Sequence, residues 1–340
     1  MQTPRNNWRM RLAVLAAVIA VAFFVVFGAR GAQAPAAQPA GESAPRRDAP
    51  ALWVVRDRDT TIWLFGTFHI LDGNSDWFSG EIREAFDSAR ELVLEADIPA
   101  NPALLAARTQ PLIRRYAVDP AGRPISGRLT AEQNRVLDAA LGAIGIQRGS
   151  YDRMEPWFIN MTLAKALGRR AGAGIEGGAE AVLRRAAGQR MRFHALETIE
   201  DQFRLFDGLA EEGQLAQLRT MLDNWEAIGS QLSRMLSVWK RGDAELLDRI
   251  LNSGLRQDPS LRRVLLEDRN RAWAEWIARR LERPGTVFMA VGAGHLVGPD
   301  SVQAVLRQRG VESARVSTGG SRLGYPPCRS RNEDRCVQQR

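Results

Sequence analysis

The sequence predicts an α/β domain in which strands from both ends of the chain form one sheet. Short β-rich runs occur before residue 96 and return at 286–291 and at the edge-like 314–316, and the section between them is largely helical. The hydrophobic fraction of 45% and the charged fraction of 25% are ordinary for a globular protein with a real core. The chain shows no tandem repeat of solenoid length, so a repeat architecture is excluded.

The first predicted elements are a β-hairpin and a buried strand. Apolar runs at 52–55 and 61–65 flank a short polar segment, a pattern typical of two strands joined by a turn. A helical stretch follows at about 77–89. The apolar run 92–94 then predicts a buried strand that ends in Glu95.

The middle of the chain is predicted to be mostly helical. Thr130 and Gln133 have the spacing of a capping box, which opens a helix. One strand, at 191–196, interrupts this section. The helices of roughly 200–283 are expected to form a cap or a flanking layer, and four tryptophans on them are expected in the core: Trp225, Trp239, Trp273 and Trp276.

The N-terminal segment indicates export. Residues 12–28 form an apolar run without a charge, three arginines precede it and small residues follow it, which is the order of regions in a secretory signal. The run is slightly long for a signal and slightly short for a membrane span. We therefore expect a signal peptide or signal anchor at 1–31, an Ala/Pro-rich linker at 32–50, and a periplasmic location with or without a membrane tether.

The only two cysteines, Cys328 and Cys336, lie in a polar tail at 319–340. In an oxidising compartment, two cysteines this close are expected to form a local disulfide. A metal pair would need further ligands nearby, and the tail contains no histidine. The expected disulfide would staple the tail and would carry no catalytic function.

The net charge of +8, from 47 basic and 39 acidic residues, does not predict a nucleic-acid partner. Four of the arginines flank the N-terminal apolar run, and the remaining ones are scattered among acidic residues. A nucleic-acid-binding protein would instead show a clustered basic face.

Two of the three histidines occur in the same local pattern, an apolar β run followed by G-x-x-H. The first pattern is Gly66 to His69 and the second is Gly292 to His295. A glycine allows the chain to turn sharply at a strand end, so each histidine would stand at the carboxyl edge of the sheet, where α/β proteins bind ligands. We expect the two imidazoles to converge there if their strands are near neighbours.

Two imidazoles and a carboxylate are the protein ligands of several open metal sites in hydrolases. Glu95 is the candidate carboxylate, as ligand or as general base, because it ends a buried strand, and Asp97 is the alternative. Glu197 and Arg269 are expected to support the site, although Arg269 could equally form a structural ion pair. His194 is interpreted as structural. Nitrogen and oxygen ligands leave zinc, manganese and cobalt as candidate metals.

Several familiar motifs are absent or misplaced. The GAGIEG segment at 172–177 has the letters of a dinucleotide-binding loop, but it follows a predicted helix rather than a strand. The glycines after the 286–291 run are spaced one residue too far apart for that loop. The sequence contains no H-E-x-x-H, no G-x-S-x-G and no Walker lysine motif, which argues against familiar zincins, serine hydrolases and NTPases.

A set of short motifs spans the predicted domain at 51–318. They are GTFH (66–69), LEAD (94–97), EPW (155–157), LET (196–198), LLEDRN (265–270) and VGAGHLVG (291–298). As a set they resemble the TraB/GumN-like family, which is distantly similar to the Tiki metalloproteases and the erythromycin-esterase-like hydrolases. The resemblance implies a mixed central sheet flanked by helices and a metal site with His69 and His295 as ligands and Glu95 as ligand or base.

The sequence thus predicts an exported metal-dependent hydrolase, with peptide bonds as the expected target on the resemblance alone. A small-molecule ester or amide is the next substrate class. A non-catalytic protein that holds haem, a metal or a glycan in the same cleft is the alternative from another functional class. A scaffold with a vestigial site is the third. No feature of the sequence indicates the oligomeric state.

Overall fold

The computed structural model describes residues 49–71, 76–99, 101–170, 174 and 178–316. The predicted signal segment, most of the linker and the tail with Cys328 and Cys336 lie outside these residues, so their predictions remain predictions. None of the helices in the described part of the chain has the length and apolar character needed to cross a membrane.

The described residues form a mixed sheet of six strands, in the order β4-β3-β5-β2-β1-β6, with helices around it. This confirms the predicted α/β class and the mixed sheet. The strands are β1 (Leu52–Arg56), β2 (Thr60–Thr67), β3 (Glu91–Ala96), β4 (Arg192–Glu197), β5 (Gly285–Gly292) and β6 (Ser313–Arg315).

The strands of the sheet divide into a parallel and an antiparallel part. β1 and β2 form the predicted hairpin, and β6 pairs antiparallel with β1 at the edge. β4, β3, β5 and β2 are parallel to one another. Since β5 lies between β2 and β3, the carboxyl ends of four parallel strands meet at one edge of the sheet.

The helices follow the sequence signals closely. Thr130 and Gln133 make both bonds of the predicted capping box. Asn101 accepts hydrogen bonds from two backbone N–H groups of the helix that Pro102 opens. The helices are α1 (Gly80–Ser88), α2 (Pro102–Tyr116), α3 (Ala131–Ala143), α4 (Pro156–Arg170), α5 (Ala179–Ala187), α6 (Ile199–Asp207), α7 (Glu211–Asp223), α8 (Trp225–Lys240), α9 (Ala244–Gln257), α10 (Pro259–Arg262), α11 (Asp268–Leu281) and α12 (Val302–Gln308).

The described residues bury three groups of apolar side chains. One group lies between the sheet and α1, α5, α8 and α9, and includes Phe65 and Trp239. A second lies on the opposite face of the sheet against α11 and α12, and includes Val93 and Trp273. The third is built by the helical middle, from α2 to α4 with α6 and α7. Three of the four tryptophans predicted in the core are buried, and Trp276 is half-buried.

Candidate functional site

The candidate site lies at the carboxyl edge of the parallel strands. His69 follows β2, Glu95 lies in β3, Glu197 ends β4, and His295 lies in a 3-10 turn (Ala293–Leu296) after β5. Side chains alternate between the faces of a strand, so Glu95 shares the face of Val93, against which α11 packs. α11 brings Arg269 to these residues.

The two G-x-x-H segments pack directly against each other. A Cβ atom built on Gly66 would lie 3.0 Å from the Cα atom of Ala293, which stands between Gly292 and His295. The Gly66 carbonyl is also bonded by the buried indole N–H of Trp239, at 2.7 Å. Gly66 therefore allows the backbone of the second G-x-x-H segment, at Ala293, to lie close to the end of β2.

His69 is paired with a carboxylate that the sequence did not indicate. Its Nδ1 lies 2.6 Å from Oε2 of Glu180, in the first turn of α5, and the Thr67 hydroxyl donates to Oε1 of the same carboxylate at 3.0 Å. An ionised carboxylate only accepts, so the imidazole proton is on Nδ1. Nε2 of His69 makes no hydrogen bond to a described residue.

Arg269 is buried, and all of its N–H groups have acceptors. Nε and Nη2 donate to the two oxygens of Glu197, at 2.7 and 2.8 Å, and Nη2 also donates to Oε1 of Glu95 at 2.6 Å. Nη1 donates to Nε2 of His295 at 2.9 Å and to the carbonyl of Leu265 at 3.4 Å. Leu265 belongs to a π turn (Arg263–Glu267), an irregularity common at functional sites.

Glu95 is held at both of its carboxylate oxygens. Oε2 accepts the backbone N–H of Gly292 at 2.9 Å, and Oε1 accepts from Arg269 and, at 3.2 Å, from the amide of Gln202. The other amide atom of Gln202, Oε1, is buried and has no donor among the described residues. A buried acceptor of this kind is normally completed by a water molecule or another donor.

The surroundings lower the pKa of Glu95 and His295 and raise the pKa of Glu197 and His69. Burial opposes ionisation of Glu95, but the charge of Arg269 and the two imidazoles outweigh it and lower the pKa to about 2. Burial raises the pKa of Glu197, and the negative charge of Glu95 raises it further. Arg269 lowers it, but the pKa remains above its usual value. Burial lowers the pKa of His69, but Glu180 reverses this and leaves it raised. Burial and Arg269 lower the pKa of His295 to about 3, so its imidazole is neutral.

Three of these side chains could hold a metal ion. His69, Glu95 and Glu180 each offer one donor atom, and these three atoms lie within 4.8 Å of one another. One imidazole nitrogen and two carboxylate oxygens suit zinc, manganese or cobalt. The donor set therefore fits a divalent ion.

The two histidines of the G-x-x-H segments have different hydrogen-bond partners. His295 donates from Nδ1 to Oδ1 of Asn270 at 2.7 Å and accepts at Nε2 from Arg269, so neither ring nitrogen is left for an ion. The grouping of donor atoms includes Glu180 and not His295, and the predicted ligand set of His69, Glu95 and His295 stays a prediction. Asp97, the alternative to Glu95, pairs with Arg108 and Arg184 and is 40% exposed, so it does not join the site.

Glu197 and Arg269, the two residues expected to support the site, both lie in it, whereas His194 does not. Glu197 and Arg269 lie together in the site, in contact through two hydrogen bonds. His194 lies inside β4, with its Nε2 3.7 Å from a carboxylate oxygen of Glu91 and about half of its side chain exposed. The interpretation of His194 as structural stays a prediction.

Sequence reasoning missed Glu180, Gln202 and Asn270. Glu180 follows the glycine-rich segment that was dismissed as a false dinucleotide loop, and an acidic residue after such a segment was the available signal. Asn270 stands within the LLEDRN motif and Gln202 lies four residues after the LET motif, but both are neutral amides on helices. Only their placement in space connects them with Glu95 and His295.

Comparison with known proteins extends the description. The model of the TraB/PrgY/gumN family matches residues 51–315. The uncharacterized protein YbaP of Escherichia coli (strain K12) is 26% identical over 259 residues, which cover 76% of this chain and 92% of YbaP. An uncharacterized protein of Treponema pallidum (strain Nichols) is 25% identical over 276 residues, 76% of this chain and 80% of the relative. No solved structure matches the chain significantly.

Proposed function

Since this chain belongs to the TraB/PrgY/gumN family, we propose that it is a metal-dependent hydrolase with a divalent ion held by His69, Glu95 and Glu180. One observation carries the proposal. The donor atoms of these three buried or half-buried side chains lie within 4.8 Å of one another at the carboxyl edge of the sheet.

The charges of the site support a divalent ion. Arg269 pairs with the carboxylates of Glu95 and Glu197, and Glu180, which pairs with His69, is the third carboxylate of the site. The carboxylates of the site outnumber the guanidinium, and a divalent cation would offset this excess of acidic groups. A buried excess of charge is strongly unfavourable unless it is paired or coordinates a metal.

The residues of the chain have distinct parts in this proposal. When bound, the ion would acidify a water molecule and polarise the carbonyl of a substrate. Nδ1 of His69, which donates to Glu180 in this structure, would release its proton when this nitrogen and a Glu180 oxygen bind the ion. Thr67 fixes the Glu180 carboxylate from its other oxygen.

Glu95 is better suited to bind an ion than to accept a proton. It receives hydrogen bonds from Gly292, Arg269 and Gln202, and all of these favour its ionised form. A carboxylate stabilised in this way is a weak base. We therefore assign Glu95 as a ligand, in place of the catalytic-base role that the sequence left open.

Peptide bonds are the proposed target, and a small-molecule ester or amide is the next class. The support for a peptide is the resemblance to metalloproteases found in the motifs. The unpartnered Oε1 of Gln202 adds an acceptor beside Glu95, and the acceptor would suit a water molecule or a substrate N–H group.

The first test is the metal content of the purified full chain, measured by elemental mass spectrometry after incubation with zinc, manganese or cobalt and removal of excess ion. We expect about one ion per chain in the wild type, and a loss of at least ten-fold in affinity in His69→Ala and Glu180→Gln. Glu84→Gln, an exposed carboxylate change on α1, is the matched control and should keep the ion. A wild type that binds none of the three ions would refute the proposal.

The second test is hydrolysis of a fluorogenic peptide library and a panel of esters by the loaded protein. We expect turnover that is lost in His69→Ala and retained in Glu84→Gln. An ion that binds stoichiometrically without any turnover would instead favour the non-catalytic binding protein.

We also propose that the chain is exported with its domain in the periplasm, on the strength of residues 12–28 and the arginines before them. A fusion of residues 1–50 to alkaline phosphatase, which is active only after export, is the test. We expect activity from this fusion. We expect none from the control, in which only residues 49–50 are fused to the phosphatase. Equal activity of the two fusions would contradict export.

A further inference from the structure

We infer that Asn270 and His295 form a relay that positions Arg269, and that His295 acts through Arg269 rather than as a metal ligand. The inference deepens the proposed function and rests on it in one respect, because it takes Glu95 to be a ligand of the ion. The relay runs from a backbone carbonyl through Asn270, His295 and Arg269 to Glu95.

The orientation of the Asn270 amide is fixed by its surroundings. Asn270 is completely buried, and its Nδ2 donates to the backbone carbonyl of Asp300 at 2.6 Å. A carbonyl oxygen only accepts, so Oδ1 of Asn270 must face the imidazole of His295, 2.7 Å from Nδ1. An amide oxygen also only accepts, so the imidazole proton must lie on Nδ1.

A proton on Nδ1 makes Nε2 of the neutral His295 ring an acceptor. The guanidinium of Arg269 can only donate, and its Nη1 lies 2.9 Å from this nitrogen. Trp273 packs against the imidazole with a ring centroid separation of 4.4 Å, and the guanidinium of Arg269 also lies over the Trp273 ring. The ring plane and the tautomer of His295 are both set before any ion or substrate arrives.

The consequence of the relay lies in Arg269. One N–H of Nη1 is committed to His295, and this fixes the rotation of the planar guanidinium. The opposite edge of the guanidinium then meets Glu197 with two N–H groups, and Nη2 also reaches Oε1 of Glu95. His295 is thus a positioning residue for the carboxylate that is proposed to bind the ion.

A conservative substitution separates this role from direct ligation. In His295→Gln the side-chain amide can still accept from Arg269 with its oxygen and donate to Asn270, but an amide is a poor ligand for zinc. In His295→Leu both hydrogen bonds are lost. His69→Gln is the matched comparison, because His69 is a proposed ligand.

The experiment measures the affinity of the full chain for zinc by competition with a chelator, with the unfolding temperature as a check on folding. We expect His295→Gln to stay within about three-fold of the wild type, and His295→Leu to lose about 10- to 100-fold, the usual effect of removing a group that orients a metal ligand. His69→Gln should lose at least as much as His295→Leu. Equal and large losses in His295→Gln and His295→Leu would overturn the relay.

The tautomer itself can be observed by nitrogen-15 NMR of the full chain with labelled histidine, since the sequence has only three histidines. The His295 signals are those missing from His295→Gln. We expect a proton on Nδ1 and a bare Nε2, with and without zinc. A zinc-dependent shift of Nε2 to a metal-bound value would overturn the relay.

The same spectra distinguish the two possible failures. If the wild type binds no zinc, the proposed function fails, but the His295 tautomer still decides the inference. A proton on Nδ1 that is lost in Asn270→Leu would support the relay without an ion. A proton on Nε2 in the wild type would overturn it.

Discussion

Glu91 shows at the scale of one residue how this protein tolerates buried charge away from the candidate site. It begins β3, is 6% exposed, and receives hydrogen bonds from Nε and Nη2 of Arg280 at 3.1 and 3.0 Å and from Arg192 at 2.6 Å. Arg280 is itself 2% exposed. Two charges buried together hold each other in place, since either one alone would be unpaired in an apolar setting.

We predict that Glu91→Gln destabilises the protein by about 3 kcal/mol near neutral pH, because Arg280 loses its partner. Burial opposes ionisation of Glu91, but the two arginines outweigh it and lower its pKa below the usual 4.5. The carboxylate therefore stabilises the fold above about pH 4.5, and this contribution is lost as the pH falls toward the folded-state pKa. Urea unfolding at several pH values is the measurement. A variant that loses as much stability in acid as the wild type would contradict the assignment.

Gly66 permits the contact between the two G-x-x-H segments. We predict that Gly66→Ala costs about 1–3 kcal/mol, because the new methyl group would press on the backbone of Ala293 and displace β2 from β5. Zinc affinity should fall with it. Gly142→Ala is the matched control, since Gly142 lies exposed in α3 with open space around it, and it should be neutral or stabilising by up to about 1 kcal/mol. Calorimetry and chelator competition test both variants.

At the scale of elements, α6 connects helix capping to the candidate site. Thr198 and Asp201 form a capping box at the start of α6, and the next residue, Gln202, donates to Glu95. Thr130 and Gln133 form the same device at the start of α3, away from the site. The two helices thus offer a paired test of whether a cap acts only on stability.

We predict that Thr198→Ala and Thr130→Ala each destabilise the protein by about 1 kcal/mol, the usual effect of removing a threonine cap. Only Thr198→Ala should also weaken zinc binding, by a few-fold, because Gln202 loses its fixed position beside Glu95. Unfolding temperature and zinc affinity, measured on the same samples, distinguish the two effects. Similar zinc affinities in both variants would show that the cap of α6 does not affect zinc binding at the site.

The elements were more predictable than the site they build. The hairpin, the strands around Glu95 and His194, and the capping box at Thr130 could be predicted because each follows from local periodicity or from a cap. Glu95 and Arg269 were singled out because a charged residue beside apolar runs is conspicuous. Glu180 could not be connected with His69 in this way, because 111 residues separate them and only the packing of α5 brings them together.

The tautomer of His295 was likewise beyond reach of the sequence. The G-x-x-H pattern marks a histidine at a strand end, but the ring's function depends on what its two nitrogens meet. Asn270 and Arg269 meet them from α11, an element that comes before β5 in the chain. Similar local patterns at His69 and His295 therefore led to one expectation for two residues with different partners.

At the scale of the whole molecule, the position of β5 determines when the sheet can close. β2 and β3 are both made before β5, yet each pairs with β5 rather than with the other. Without β5 the hairpin and the β3–β4 pair would share no strand. Pairing between strands so distant in sequence is slow to form, because long loops must close first.

We predict that a chain ending at residue 284 shows no cooperative thermal unfolding and no zinc binding. It would lack β5 and the Gly292 N–H that bonds to Glu95. A chain ending at residue 316 retains every described strand and helix and should unfold cooperatively. Circular dichroism during heating tests both chains. Cooperative melting of the shorter chain would refute the central role of β5.

The late arrival of β5 also bears on which metal the protein would acquire. His69, Glu95 and Glu180 are synthesised first, but their final arrangement requires a strand made near the end of the chain. Metal affinity is gained together with folding when the site is not preformed. A chain that is exported before it folds would therefore bind a metal available in the compartment where folding finishes. The metal concentrations of the cytoplasm would then not determine which ion it holds.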